Sequence, residues 1–467
     1  MSPSAVPAAR PQPPGEERAR RRLALVGGSL GNLVEWYDWF VYASFAVYFA
    51  DDFFPGSDST AKLMNTAGIF AVGFLMRPVG GWLLGRAADR HGRKSALTLT
   101  VTMMSAAAVL IAVAPTYAQA GYLGAVVLLL ARLLQGMSIG GEYAASATYL
   151  TEASAPNRRG LGSSFQYVSM TCGQLLGLGI LIVMQHTLGN AQLHSWGWRV
   201  PFLLGAVLAG VVLWLRRRLP ETEAFTAETG GHGHSDGRGQ DGARGTLRSL
   251  WEHRRQALLV MALTLGGTVA YYTFTTYLTK YLIGSAGLAK NTATLVSFTA
   301  LAVFAAIQPL AGLLSDRIGR RPLLITFALG CTVGTYPLMT ALGSASGYWS
   351  ALGLSLVALV IVTGYTSINA AVKAELFPTR IRALGVALPY ALANALFGGT
   401  AEYIALWFKD SGHESGFFWY VSGCALVSLV VYVLMPDTRN AVLSPEQARP
   451  EAGTQAPAGA AGAEAVR

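Results

Sequence analysis

Runs of about twenty mainly apolar residues recur twelve times along this chain, and a run of that length is what a helix needs to cross a bilayer. They fall near 23–49, 64–85, 95–115, 121–146, 161–186 and 199–215, then near 257–282, 292–314, 322–342, 347–371, 383–408 and 416–435. Hydrocarbon offers no water to backbone N–H and C=O groups, so such runs satisfy them internally as helices. The pattern predicts an all-α membrane protein. Composition agrees, since only 13% of the residues are charged, against about 25% in an average soluble domain.

The apolar run at 23–49 follows Arg20, Arg21 and Arg22 and contains acidic residues. It is long enough to span and lacks a cleavage signature, so it reads as a first spanning helix and not as a removed signal peptide. Lys and Arg then alternate between the connecting segments. Arg86, Arg90, Arg93 and Lys94, then Arg158 and Arg159, then Arg216 to Arg218 with Arg254 and Arg255 share one side. Arg317, Arg320, Arg321, Arg380 and Arg382 complete it. The positive-inside rule makes that side, and both termini, cytoplasmic. Tyr117, Tyr122, Trp196, Trp198, Tyr348 and Trp349 are expected at the opposite interface. The net charge of +10 is thereby dispersed over loops and forms no nucleic-acid surface. Cys172, Cys331 and Cys424 all sit in apolar segments, which predicts neither a disulfide framework nor a metal site.

The chain also repeats itself. GRAADRHGRK at 85–94 follows the second run, and GLLSDRIGRR at 312–321 follows the eighth. EASAPNRRGLG at 152–162 and ELFPTRIRALG at 375–385 form a second pair after the fourth and tenth runs. Two six-helix halves with pseudo-symmetry are the organisation of a carrier built from parallel repeats. The expected divisions are a disordered tail over 1–22, bundles over 23–215 and 257–435, a Gly-rich linker over 216–256 and a disordered tail over 436–467. Gly85, Asp89 and Arg93, with Asp316 and Arg320 at matching places, are candidates for a conformational latch. Simple anchoring at the interface is the structural alternative.

With these loop motifs, and with RLLQG at 132–136, the chain resembles the major facilitator superfamily. GNLVEWYDWFVY at 31–42 is similar to the metabolite–proton symporter family within it. Further segments, among them 66–94, 141–152, 272–282, 374–386 and 393–406, resemble the 2-oxoglutarate carriers of that family. The resemblance covers about residues 20–435. It implies proton-coupled uptake of 2-oxoglutarate by alternating access, in a monomer of a bacterial inner membrane, with no cofactor. It leaves open another organic acid (citrate, a C4-dicarboxylate or shikimate) or an osmoprotectant such as proline or betaine. The Ala/Gly-rich tail carries no heptads, which argues against the last.

Charges inside a bilayer cost roughly 2.5–3.5 kcal/mol each on the gentler scale and mark function. Glu35 and Asp38 share a face of the first helix, and Arg132 lies in the middle of the fourth. The resemblance places both helices on a central cavity, where the three can meet. Arg77, beside Pro78, is a further candidate, with snorkelling toward the basic side as its structural alternative. An organic dianion needs donors, and Arg offers a planar fork for carboxylates. Tyr271, Tyr272, Lys280, Lys373 and Asn394 are the candidates from the second half, both lysines lying near the ends of their runs. Glu142 and Glu402 join Glu35 and Asp38 as candidate proton carriers. Each negative charge moved inward costs roughly 2.3 kcal/mol per 100 mV, so at least two protons cancel the electrical cost of a dianion. No GK[ST] phosphate loop or HExxH motif is present, so neither an ATP-driven pump nor a metalloprotease is expected. A passive channel would have no use for the buried acid–base set.

Overall fold

The computed structural model describes residues 14–56, 58–91, 93–140, 154, 156–218, 253–377 and 382–438. Within them the chain forms twelve helical rods. The first half holds α1 (Pro14–Phe53), α2 (Ser59–His91), α3 (Arg93–Ala112), α4 (Leu123–Ile139), α5 (Arg159–Thr187) and α6 (Val200–Arg218). The second holds α7 (Arg254–Gly284), α8 (Lys290–Ile318), α9 (Arg320–Gly343), α10 (Tyr348–Glu375), α11 (382–410) and α12 (Glu414–Leu434). Eight of these are long and apolar enough to cross a bilayer by length and composition. Large apolar side chains cover the outside, with Trp349 80% and Leu434 78% exposed, a surface suited to lipid and not to water.

Packing within the halves repeats six helices on. α1 packs on α5 as α7 packs on α11, α2 on α4 as α8 on α10, and α3 on α6 as α9 on α12. The halves meet through α5 against α8 and α2 against α11, which exchange under the same relation. This is the pairing of two pseudo-symmetric six-helix halves that the sequence repeat predicts.

Several boundaries and placements differ from the sequence reading. α1 begins at Pro14, ahead of the expected start at residue 23. The rest of the expected tails and linker, apart from a few flanking residues, lies outside the described residues. Trp198 is not an interfacial residue: it is fully buried and donates to Asp52 Oδ2 at 2.8 Å. Two rods are also interrupted. A π-helical turn, Thr273–Tyr277, breaks α7, and another, Asn394–Gly398, breaks α11. Such turns insert a residue and rotate everything beyond them.

Candidate functional site

The site is built on α1, whose side chains from Val34 to Phe54 are almost all buried. Trp39 stands at its centre. α2 delivers Arg77 to one part of that indole, with Cζ 4.4 Å from the ring centroid, and α4 delivers Arg132 at 3.9 Å. Glycine makes the double delivery possible. A Cβ on Gly136 would overlap the carbonyl oxygen of Gly73, and one on Gly140 that of Arg77. α4 therefore lies directly against α2, as small residues allow in membranes.

Both arginines are buried, Arg132 completely. Arg77 also stacks on Phe74 at 4.0 Å, and Arg132 on Tyr42 at 4.5 Å and Phe70 at 4.8 Å. Aromatic faces stabilise a desolvated guanidinium without consuming its N–H donors. Arg132 Nη1 donates to Gln135 Oε1 at 2.6 Å, and Gln135 Nε2 donates to Asp38 Oδ2. Among the described residues the Nε and Nη2 atoms of both arginines, and Trp39 Nε1, have no hydrogen-bond partner. Buried donors are rarely left so, and five around one indole form a ready anion site. Asp38 thus joins Arg132 through Gln135. Glu35 is buried one turn away on α1, and no ion pair links it to either arginine.

The second half supplies the opposite wall. Tyr272 faces Arg77 and Asn394. Asn394 Oδ1 accepts from Thr268 while its Nδ2 has no partner. Tyr271 packs edge-on against Tyr272 and against Tyr167 of the first half, with centroids 5.2 and 5.1 Å away. Lys280 is ion-paired with Glu402, both nearly fully buried. Lys373 is fully buried, donates to Asn369 Oδ1 at 2.6 Å and lies 4.0 Å from the Tyr390 centroid. Both lysines therefore lie inside, away from any interface. Arg77 likewise stays on Trp39 and does not snorkel.

The halves touch at both ends of the site. At the basic end Asp316 Oδ1 and Oδ2 accept the N–H groups of Gly160 and Leu161 at 2.8 and 3.0 Å, at the start of α5. Arg320 Nη1 holds the same carboxylate at 2.7 Å, and Arg320 Nη2 reaches Glu375 at 3.5 Å. At the far end Lys290 Nζ donates to Val47 O at 3.3 Å and meets His194 Nε2 at 3.1 Å. Gln185 there donates to Tyr48 and Thr294 at 2.8 and 3.1 Å. The described arrangement is an occluded one. Glu142 and the side chains of Asp89 and Arg93 lie outside the described residues, and Gly85 is described only as a helical position of α2.

Trp39 and the π turns escaped the sequence reading. EWYDWF flagged its acids, and Trp39 directly after Asp38 carried no separate signal; the π turns leave none in hydropathy.

The Major Facilitator Superfamily model matches residues 28–401 and again 279–462. The chain is 49% identical over 417 residues to the alpha-ketoglutarate permease of Escherichia coli (strain K12), covering 89% of this chain and 94% of that one. It is 31% identical to the proline/betaine transporter of Salmonella typhimurium, covering 90% and 84%. Among solved structures it is similar to the partially occluded, inward-open xylose transporter XylE of E. coli, with a TM-score of 0.71 and 21% identity, over 91% of this chain and all of that one.

Proposed function

This chain belongs to the Major Facilitator Superfamily, and from that membership and the enclosed cationic site we propose that it is a proton-coupled carrier of 2-oxoglutarate working by alternating access. The observation that carries the reading is the group of unpartnered donors of Arg77, Arg132 and Trp39 around one indole. A carboxylate there meets two planar forks, which match its geometry. Lys280, Lys373, Tyr271, Tyr272 and Asn394 form the wall for the rest of the anion. Asp38, with Glu35, Glu142 and Glu402 as further acids, supplies titratable groups beside the cations. Asp316 and Arg320, with Asp89 and Arg93 as their sequence counterparts and Gly85 beside these, act as latches at the basic end. The protein works as a monomer in a bacterial inner membrane, both termini cytoplasmic. Its bundles over 23–215 and 257–435 rock about the site, joined by the linker over 216–256.

The test is uptake of labelled 2-oxoglutarate by cells expressing the chain, with citrate, succinate, shikimate and betaine as competitors. Uptake should rise as outside pH falls and collapse with a protonophore. Stronger competition by betaine than by unlabelled 2-oxoglutarate would overturn the substrate, and indifference to the protonophore would overturn the coupling.

A further inference from the structure

The site contains two separate acid–cation systems. In the first, Asp38 reaches Arg132 through Gln135. In the second, Glu402 of α11 is paired with Lys280 of α7. Both are buried, and Tyr42 stands between them: its ring lies 4.5 Å from Arg132 Cζ and feels the charge of Glu402. Lys280 lies beyond the π turn of α7 and also lines a small cleft with Ser44, Gln174, Thr275 and Thr276, so it faces the first half as well as Glu402. Glu402 Oε2 has no hydrogen-bond partner.

We propose that Lys280–Glu402 is an exchangeable pair: one substrate carboxylate takes Lys280 while Glu402 accepts a proton, as the other carboxylate takes Arg132 while Asp38 accepts a proton. The inference rests on the dicarboxylate reading above. It assigns one protein carboxylate, and hence one proton, to each substrate carboxylate.

Charge decides the exchange. Breaking a buried pair by adding only one partner's competitor leaves an uncompensated charge, a costly state. A carboxylate arriving at Lys280 would leave Glu402 as that charge. A proton from hydronium, whose O–H bond breaks to leave water, forms an O–H bond at Glu402 Oε1 and removes it. The same holds at Asp38. A dianion and two protons then leave the net charge of the site as it was when empty, so the potential does no net work over a transport cycle. The other ionisable groups facing Glu402 do not provide a competing partner. α1 brings Tyr42, and α7 brings Tyr277 alongside Lys280. α12 brings Glu414, itself bonded to Ser285. On α2, which packs against α11, Lys62 is paired with Asp51 and Arg77 lies on Trp39.

The experiment measures protons taken up per 2-oxoglutarate bound by the purified chain in weakly buffered detergent, and the effect of membrane potential on uptake in vesicles. The expected result is two protons per dianion and potential-independent uptake for the natural chain. Glu402→Gln should take up one proton, and an inside-negative potential should now slow whatever uptake remains. A ratio that stays at two in Glu402→Gln overturns the assignment. If Glu402→Gln does not fold, the natural chain decides alone, since any ratio other than two overturns the proposal. Absence of 2-oxoglutarate binding by the natural chain sinks the substrate reading and this inference together, whereas binding with the wrong ratio sinks only the inference.

Discussion

Asp316, on α8 in the second half, accepts the backbone N–H of Gly160 at the start of α5 in the first half, at 2.8 Å. The start of a helix carries partial positive charge, and a carboxylate there is stabilising by up to about 2 kcal/mol when partly buried. Gly160 and Gly312 are in close backbone contact, and a Cβ on either would overlap the other's carbonyl. The basic end is thus closed by a charge set on a helix terminus, with no room for a side chain between.

This contact exists only while the halves touch at that end, so it biases the equilibrium between states and not the affinity of the site. Asp316→Asn should slow net transport about tenfold, the equivalent of roughly 1.4 kcal/mol of lost closure. Binding should shift only as populations shift. Initial rates against equilibrium binding in reconstituted vesicles check this. A variant as fast as the natural chain would make the loop an anchor.

Arg132→Ala should lose 2-oxoglutarate binding by at least about tenfold, since hydrogen bonds to charged groups contribute roughly 1.5–3 kcal/mol. Arg132→Lys should recover little, because a lysine supplies a point charge and no planar fork over Trp39. Direct binding to purified protein separates this from a coupling defect.

Asp38→Asn keeps the shape that meets Gln135 but exchanges no proton. It should still exchange labelled for unlabelled 2-oxoglutarate across a membrane yet fail to accumulate it. Glu35→Gln is the companion variant, and counterflow against net uptake separates the two behaviours. If both variants accumulate substrate with unchanged pH dependence, α1 holds a structural pair and no proton carrier.

Gly136→Val should be among the most damaging small changes in the first half. The added side chain would drive α4 off α2 at the Gly73 carbonyl and carry Arg132 away from Trp39. Overpacking typically costs about 1–3 kcal/mol. The expected outcome is protein still present in the membrane, with a lowered melting temperature and binding reduced at least about tenfold. Unchanged binding would show that the helix contact does not position the arginine.

The far end should respond to acid. His194 lies on the short helix Asn190–Ser195, outside the spans, and meets Lys290. Burial, then the Lys290 charge, hold its pKa below the usual value. The neutral ring is therefore the form that fits. Its contribution is complete above the ordinary histidine pKa of about 6.5 and is lost as pH falls through the lowered value. Melting of the purified chain over that range should show a loss of stability toward low pH, and His194→Gln should show less. Equal curves for both would remove His194 from the far-end contact.

Much of this protein was fixed by its sequence. Hydrocarbon forbids unpaired backbone, so twelve apolar runs could only become helices, and GRAADRHGRK against GLLSDRIGRR set the two halves in register. The cost of buried charge singled out Glu35, Asp38, Arg77 and Arg132, and the donors a dianion needs pointed to Lys280 and Lys373. What each of them meets was decided by the tertiary structure. Lys280 and Glu402 are 122 residues apart, and Asp316 finds its acceptor role on a helix of the other half. The π turn of α7 rotates the end of that rod without altering hydropathy, so Lys280 looked interfacial in sequence and is buried in the fold. Apolar periodicity records that a helix is surrounded by lipid and protein. It does not record the phase of each rod about its axis, and that phase sets Arg77 and Arg132 on the same indole.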